Sequence, residues 1–131
     1  MQVLAVECDV VVIGGGPAGS TAAALLAKKG RRVVLLEKEL HPRFHIGESL
    51  LPANLPLLEK LGVLGEVEAI GMYKPGETFV SPWHDHIAGF RFADAVDKSL
   101  THAYQVRRSE FDEILFRHAA RCGADAREQV R

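Results

Sequence analysis

The feature that most constrains this chain is a segment in which two apolar runs flank a glycine turn and an alanine-rich stretch. Residues 10–39 read VVVIGGGPAGSTAAALLAKKGRRVVLLEKE. The continuous apolar runs at residues 10–13 and 33–36 predict parallel strands that are covered on both faces. Two parallel strands joined by a helix form a βαβ unit, so the segment predicts an α/β fold with a parallel sheet.

The stretch between the two predicted strands has the pattern of a helix over residues 17–29. Pro17 is tolerated in the first turn because an N–H there has no intrahelical partner. Gly30 is typical of the residue that follows a helix end. The apolar residues at helical spacing are Ala18, Ala22, Leu25 and Leu26.

Three glycines before and within this helix have the spacing GxGxxG, and each has a separate expected role. Gly14 permits the tight turn, Gly16 lets a pyrophosphate approach bare backbone, and Gly19 lets the helix pack closely on the strand. The helix N-terminus directs unpaired N–H groups and a positive dipole end toward the same place. The turn therefore predicts a site for the pyrophosphate of an adenine dinucleotide.

An acidic residue, Glu37, follows the second strand 18 residues after Gly19. This is close to the offset of about 20 residues at which a carboxylate hydrogen-bonds ribose hydroxyls. A carboxylate there disfavours a ribose phosphate, so NADP is not expected. FAD and NAD offer the same adenosine and pyrophosphate, and this unit alone does not separate them. The alternative interpretation is an ordinary solvated charge at a strand end.

Composition excludes several classes of partner. The chain has 131 residues with 16 Lys and Arg against 17 Asp and Glu, so it has no basic excess with which to bind nucleic acid. Cys8 and Cys122 have neither disulfide nor metal spacing, which favours a reducing cytoplasm. The start lacks a basic region and no apolar run reaches about 18 residues, so neither a signal peptide nor a membrane span is expected.

Two further segments carry a family resemblance. Residues 42–52 read PRFHIGESLLP, and residues 104–124 read YQVRRSEFDEILFRHAARCGA. Together with the glycine turn, they resemble the N-terminal part of flavin-dependent halogenases and their FAD oxidoreductase relatives, which include geranylgeranyl-reductase-like enzymes and aromatic hydroxylases. The resemblance implies FAD as the cofactor and a Rossmann-like FAD-binding domain, of which residues 1–131 would be the incomplete N-terminal portion.

The resemblance also implies which residues meet the cofactor. Arg43 and the loop at residues 47–49 would lie along the flavin and help to gate it. Arg108 matches the family arginine that approaches the cofactor, and Arg107 would replace it if the register slipped by one residue. The expected cofactor-binding residues are Gly14, Gly16, Pro17, Ala18, Gly19, Glu37, Lys38, Arg43, Gly47, Glu48, Ser49 and Arg108.

A second helix is predicted over about residues 110–122. Ser109 would be its N-cap and Asp112 would stand at the third helical position, an acidic variant of the capping box. In that case Arg107 and Arg108 are simply solvated residues before the helix, which is the alternative to a cofactor role. The residues expected to face inward are Phe111, Ile114, Leu115 and Ala119.

A candidate catalytic residue lies in residues 72–80, MYKPGETFV. This segment resembles the one that holds the active-site lysine of flavin halogenases, which would make Lys74 catalytic. By that resemblance, reduced flavin and O2 oxidise chloride or bromide to hypohalous acid, and Lys74 holds or orients this oxidant toward an electron-rich ring. The alternative is an exposed turn lysine, because Lys-Pro-Gly-Glu is good turn composition.

A β-hairpin is predicted after this segment, with apolar residues entering a turn at 79–80 and returning at 87–92. His84 and His86 are two residues apart and would share one face of a strand. A third metal ligand is not evident, so a solvated hairpin tip is the better interpretation and no metal site is expected.

The final residues, ADAREQVR, predict the start of a third strand. By the resemblance, such an enzyme needs further strands and a region that encloses its substrate. We therefore expect the N-terminal third of a longer enzyme, poorly stable and inactive by itself. The whole enzyme would use reduced FAD and O2 on a small aromatic or carrier-bound substrate, with a separate flavin reductase as a partner. The alternatives are an aromatic hydroxylase, a geranylgeranyl-type reductase, or a nucleotide-binding module without chemistry.

Overall fold

The computed structural model of the chain describes residues 7–131. Residues 1–6, on which the signal-peptide expectation partly rests, lie outside the described part. The helices and strands are, in chain order, β1 (Val10–Ile13), α1 (Pro17–Lys28), β2 (Val33–Leu36), α2 (Leu55–Leu61), α3 (Leu64–Ile70), β3 (Met72–Lys74), β4 (Gly76–Val80), β5 (Ile87–Arg91), β6 (Ala103–Gln105), α4 (Arg108–Arg121) and β7 (Asp125–Arg127). They form two compact units: the glycine-turn unit, residues 7–46 with 108–131, and the hairpin unit, residues 47–107.

The sheet of the glycine-turn unit is parallel and has the order β1-β2-β7. Val10 pairs with Val33 along the β1–β2 ladder, and Val34 pairs with Asp125 along the β2–β7 ladder. The predicted βαβ unit and the predicted third strand are both confirmed. Because β1 and β2 run parallel, the end of β2 and the turn after β1 lie at the same edge of the sheet, which brings Glu37 to the glycine turn.

Helices α1 and α4 pack against each other in this unit. Of the four apolar residues at helical spacing in α1, Ala18 and Ala22 are exposed, whereas Leu25 and Leu26 are half-buried. Its buried face instead carries the small residues Ser20, Ala23 and Ala24, which allow a close approach of the two helices. The buried residues of α4 are Phe111, Asp112, Leu115, Phe116 and Ala119.

Strand β1 is not covered on both faces as its apolar run predicts. Val10 and Val12 are half-buried on the side of α1, whereas Val11 is exposed and Ile13 is 87% exposed. Within the described residues β1 has one hydrogen-bonded neighbour, β2, and is an edge strand. By contrast, Val33, Val34 and Leu35 of β2 are buried, as predicted.

The hairpin unit contains two small antiparallel pairs, β3 with β6 and β4 with β5. Its buried apolar residues come from α2, α3, β6 and the segments beside them; they are Leu50, Leu58, Leu61, Val63, Val67, Phe92, Ala103, Tyr104 and Val106. The predicted hairpin is confirmed, with Gly76 opposite Arg91 and Val80 opposite Ile87. Every residue of β5 is exposed.

Features that bear on partners are few in the described part of the chain. No helix within residues 7–131 is long and apolar enough to cross a membrane. Cys8 and Cys122 are free thiols. His84 and His86 lie exposed at the hairpin tip. Residues 7–131 contain no cluster of three or more His, Cys, Asp and Glu side chains that could hold a metal ion.

Candidate functional site

The glycine turn has the geometry that its spacing predicts. Gly14 has φ of +106°, a conformation that favours glycine, and its N–H donates to the Leu36 carbonyl at 2.8 Å. A Cβ on Gly19 would overlap the carbonyl of Gly14 and lie 3.2 Å from Val12 Cγ1. Gly14 therefore makes the turn, and Gly19 permits the contact between α1 and β1.

The two middle glycines differ in what surrounds them. A Cβ on Gly16 would meet only Arg43 Nη2, at 3.7 Å, so the backbone of Gly16 is accessible to a ligand. A Cβ on Gly15 would lie 2.7 Å from Phe116 Cδ2, and the Gly15 N–H donates to Glu37 Oε2 at 2.7 Å. The GxGxxG spacing does not indicate this packing role of Gly15; the signal that could have indicated it is the additional glycine in the middle of the GGG run.

A cavity of about 780 Å³ lies over this turn in the glycine-turn unit. The expected cofactor residues that line it are Gly14, Gly16, Glu37, Lys38 and Arg43. Lining residues that the sequence analysis missed are Ile13, Leu36, Glu39, Phe44, His45, Ile46, Val130 and Arg131. Among the expected residues of this unit, Pro17, Ala18, Gly19 and Arg108 do not line it.

The cavity combines bare backbone with exposed apolar side chains. Ile13 is 87% exposed, Phe44 81% and Ile46 74%, although all three are large hydrophobic residues. Aromatic rings and a few placed polar groups are what a cofactor site of this kind needs on its walls. The glycine backbone beside the N-terminus of α1 suits a pyrophosphate, so the residues present fit a flavin adenine dinucleotide.

Glu37 is buried at the end of β2 rather than solvated. Its Oε1 accepts a hydrogen bond from the Glu39 N–H at 3.0 Å and its Oε2 accepts one from the Gly15 N–H at 2.7 Å. Burial opposes ionisation of this carboxyl, but the two backbone hydrogen bonds and the nearby Arg43 guanidinium outweigh it and hold the pKa below its ordinary value. Glu37 is therefore a fixed carboxylate at the cavity wall.

The start of α4 differs from the prediction. The helix begins at Arg108, so Ser109 lies inside its first turn and is not the N-cap. Asp112 does not complete a capping box. Its Oδ1 accepts from Arg108 Nε at 2.7 Å and its Oδ2 from Arg43 Nη1 at 2.9 Å. Two arginines from separate segments thus meet on one buried carboxylate, which places Arg108 in an ion pair rather than in solvent.

A second ion-pair network holds the start of the loop that carries Arg43. Glu128 Oε1 accepts from the His41 N–H at 2.7 Å and lies 2.9 Å from His41 Nδ1, while Arg117 Nη1 donates to Glu128 Oε2 at 2.9 Å. Burial opposes ionisation of Glu128, but these hydrogen bonds outweigh it and lower its pKa. The buried ring of His41 stacks on Phe116 with centroids 4.6 Å apart, so the loop is fixed to α4.

Lys74 and the loop at residues 47–49 belong to the hairpin unit. Lys74 ends β3, and its side chain is only 13% exposed, so it is not an exposed turn lysine. Its Nζ donates to the Ser49 hydroxyl and to Glu77 Oε1, the latter at 2.6 Å, and lies 5.3 Å from the centroid of the Phe92 ring. The Glu48 carbonyl accepts from the Val106 N–H at 2.8 Å, which fixes this loop.

Comparison with protein families identifies the chain. The family described as FAD binding domain matches residues 7–131, which is all but the first six residues. The chain belongs to this FAD-binding family. FAD is therefore its cofactor, as the sequence predicts, and the match spans both the glycine-turn unit and the hairpin unit.

Individual relatives of the chain include halogenases. It is 44% identical over 125 residues to the flavin-dependent halogenase armH3 of Armillaria mellea, covering 93% of this chain and 24% of that protein. The solved structure of the myxobacterial chondrochloren halogenase CndH, an FAD-dependent halogenase, is 44% identical with a TM-score of 0.84, covering 93% of this chain and 28% of that one. A flavoprotein/dehydrogenase from Cytophaga hutchinsonii is 43% identical with a TM-score of 0.85, covering 94% and 30%.

These comparisons confirm the predicted α/β fold and the resemblance to FAD-dependent, halogenase-like oxidoreductases. The chain spans about a quarter of the length of the curated relative described above. It corresponds to the FAD-binding region of such proteins.

Proposed function

We propose that the chain is the FAD-binding portion of a flavin-dependent halogenase, which uses reduced FAD and O2 to halogenate a small aromatic or carrier-bound substrate. The observation that carries the proposal is the 44% identity to a flavin-dependent halogenase over 93% of the chain. A separate flavin reductase that supplies reduced FAD is part of the proposal. So is a location in the reducing cytoplasm, because both Cys8 and Cys122 are free thiols.

In this proposal the glycine-turn unit holds the dinucleotide. Gly14, Gly16 and the first turn of α1, with Pro17 and Ala18, present backbone to the pyrophosphate. Glu37 accepts hydrogen bonds from the adenosine ribose hydroxyls, with Lys38 beside it. Gly19 acts indirectly, because its missing side chain lets α1 approach β1.

The flavin end would involve further residues. Arg43 lines the cavity and offers a cation at its wall. The loop residues Gly47, Glu48 and Ser49 would lie along the flavin, as the family resemblance implies. The contact between the Arg108 guanidinium and the Ile46 carbonyl, 2.8 Å, supports a role in holding the wall of the cavity.

Lys74 is the proposed catalytic residue of the hairpin unit. When bound, reduced FAD together with O2 supplies the oxidising equivalent that converts a halide to hypohalous acid. Lys74 donates a hydrogen bond to this oxidant and orients it toward an electron-rich ring. The partial burial of Lys74 and its short contact to Glu77 support this role, because they hold Nζ in one place.

The experiment that tests the proposal compares two lysine variants of the full-length enzyme. Lys74→Ala is expected to reduce formation of halogenated product by about 100-fold or more while FAD binding is unchanged. Lys98→Ala is the matched control, since Lys98 is exposed and its Nζ donates only to the Ala93 carbonyl among the hydrogen bonds described. Full product formation by Lys74→Ala, or turnover that consumes no halide, would contradict it. The 131-residue chain alone is expected to be inactive.

A second candidate is a non-halogenating FAD enzyme, such as an aromatic hydroxylase or a geranylgeranyl-type reductase. The Cytophaga hutchinsonii flavoprotein/dehydrogenase favours it, because its sequence identity of 43% and TM-score of 0.85 are close to the 44% and 0.84 of the chondrochloren halogenase. An FAD-dependent reaction that yields an oxygenated or reduced product and requires no halide would decide for this candidate.

A further inference from the structure

We propose that Asp112 is the positioning residue of the phosphate site. One buried carboxylate fixes the guanidinium of Arg43 beside Gly16 and, through Arg108, the carbonyl of Ile46 at the cavity wall. The inference rests on the proposed binding of the FAD pyrophosphate at the glycine turn, and it adds a residue of α4 that does not itself line the cavity.

Asp112 is buried between two arginine side chains. Its side chain is fully buried, and a buried carboxylate is tolerated only when it is paired and hydrogen-bonded. Three guanidinium nitrogens supply this pairing: Arg43 Nη1 at 2.9 Å, Arg108 Nε at 2.7 Å and Arg108 Nη2 at 3.0 Å. Asp112 is therefore an acceptor shared by two arginines, and both are held in fixed orientations.

Asp112 orients the guanidinium of Arg43. The guanidinium is planar, so fixing one of its nitrogens restricts where the others point. Nη1 is bound to Asp112, whereas Nη2 has only a long contact to Glu37 Oε2, at 3.4 Å. Nη2 is also the atom that a Cβ on Gly16 would meet, at 3.7 Å. The nitrogen next to the bare backbone of the turn is thus the one that Asp112 leaves for a phosphate oxygen.

Arg108 connects Asp112 to the cavity wall. Its Nε and Nη2 form a bidentate pair with Asp112, which leaves Nη1 to donate to the Ile46 carbonyl at 2.8 Å. Ile46 lines the same cavity as Arg43. Asp112 therefore orients a cation for the ligand and also holds one end of the segment that forms the cavity wall.

Several carboxylates compete for the Arg43 guanidinium. Arg43 lies near two further acidic groups, with Nε 3.4 Å from Glu39 Oε2 and Nη2 3.4 Å from Glu37 Oε2. Without the charge on Asp112, the guanidinium is free to turn toward these carboxylates. Arg43 would then pair with these carboxylates and the glycine turn would lack an oriented cation, which disfavours binding of a phosphate more than binding of a neutral nucleoside.

The test measures the binding of ADP and of adenosine to the apoprotein by calorimetry. Asp112→Asn is expected to weaken ADP binding by about tenfold, the effect of losing one oriented charge-assisted contact, and to change adenosine binding by less than about twofold. Glu113→Gln is the matched control on the next residue of α4, where the carboxylate pairs with Arg117 at 3.6 Å, and it should leave both unchanged. Arg43→Met should reproduce the selective loss of ADP binding, and the double variant should lose less ADP affinity than the product of the two single losses.

Equal weakening of ADP and adenosine by Asp112→Asn, or independent effects of the two substitutions, would overturn the positioning role. A folded wild-type apoprotein that binds neither ADP nor adenosine would overturn the proposed function and this inference with it. If Asp112→Asn does not fold, NMR of the Arg43 guanidinium in the wild-type protein tests the inference instead. Separate NMR signals for the Arg43 Nη1 and Nη2 protons, identified by their loss in Arg43→Lys, are expected for a fixed guanidinium, and one averaged signal would contradict the inference.

Discussion

The buried carboxylates of the glycine-turn unit and the β4–β5 hairpin of the hairpin unit differ in how their side chains are held. In the glycine-turn unit the buried carboxylates Glu37 and Asp112 each accept hydrogen bonds from at least two donors within that unit. In the hairpin unit every residue of β5 is exposed, and Trp83 at the turn is 85% exposed. Contacts inside the glycine-turn unit thus fix the side chains of the site over the glycine turn, whereas the side chains on the surface of the hairpin are exposed.

The largest expected effect, on stability and FAD binding taken together, separates two glycines of the turn. Gly19→Ala places a Cβ against the backbone carbonyl of Gly14, which no side-chain movement relieves, so we expect it to lower the free energy of unfolding by about 3 kcal/mol. Gly16→Ala meets only the flexible end of Arg43 and should change stability by less than about 0.5 kcal/mol. It should nevertheless weaken FAD binding by about tenfold or more, because the methyl group occupies ligand space.

Urea denaturation and FAD titration of both variants check this prediction. Comparable stability of the two variants would remove the distinction between a packing glycine and a binding glycine. Normal FAD affinity of Gly16→Ala would remove the binding role.

A second prediction compares the cores of the two units. Leu115 is buried on α4, and Leu115→Ala should lower the free energy of unfolding of its unit by about 2–5 kcal/mol. Ile87 begins β5 and is 67% exposed, so Ile87→Ala should cost less than about 1 kcal/mol. Hydrogen exchange, which reports the stability of each unit separately, measures both. A cost for Ile87→Ala as large as that for Leu115→Ala would show that the hairpin is packed against something in solution.

The smallest expected effect is a dependence of the stability of the glycine-turn unit on acid pH. Glu37 and Glu128 have lowered pKa values in the folded chain, although burial opposes this, because hydrogen bonds and arginines stabilise their charged forms. A carboxyl with a depressed folded pKa contributes stability that is present above its unfolded pKa, about 4.3, and that is lost as the pH falls through the folded value. Asp97 of the hairpin unit also has a lowered pKa, through hydrogen bonds from Ser99, but it is fully exposed.

Acid titration followed by hydrogen exchange should therefore show the glycine-turn unit losing protection first below about pH 4.3. Glu128→Gln should flatten this dependence, since the variant has no carboxyl to protonate at that position. An unchanged acid response in Glu128→Gln would argue against a contribution from the His41–Glu128 network.

The sequence predicts well those features that depend on neighbours in the chain. The β-branched run of β1, the glycine spacing and the apolar run of β2 were sufficient for the βαβ unit, because strand and helix patterns have different periods. The capping box at Ser109 was wrong for a physical reason. Asp112 is bound to Arg43, 69 residues away in sequence, and this long-range ion pair takes the place of the local hydrogen bond that the capping rule requires.

The rest of the site depends on packing that local patterns do not encode. Gly15 is needed because Phe116 of α4 packs against it. Phe44 and Ile46 lie at the cavity wall because hydrogen bonds fix their segment at both ends, from the His41 N–H to Glu128 and from Arg108 to the Ile46 carbonyl. The segment around Lys74 makes this residue a candidate, but its burial depends on a contact with Ser49, which lies 25 residues earlier in the chain. Such contacts become visible only when the elements are assembled.

The central claim is that the glycine turn binds FAD, and the most direct test is the visible absorption spectrum of the protein after incubation with FAD and removal of free cofactor. We predict that the wild type retains FAD at a ratio of about 1:1 and that Gly16→Val, with a side chain in the space reserved for the pyrophosphate, retains none while remaining folded. A folded wild-type protein without bound flavin, or equal retention by Gly16→Val, would contradict the account.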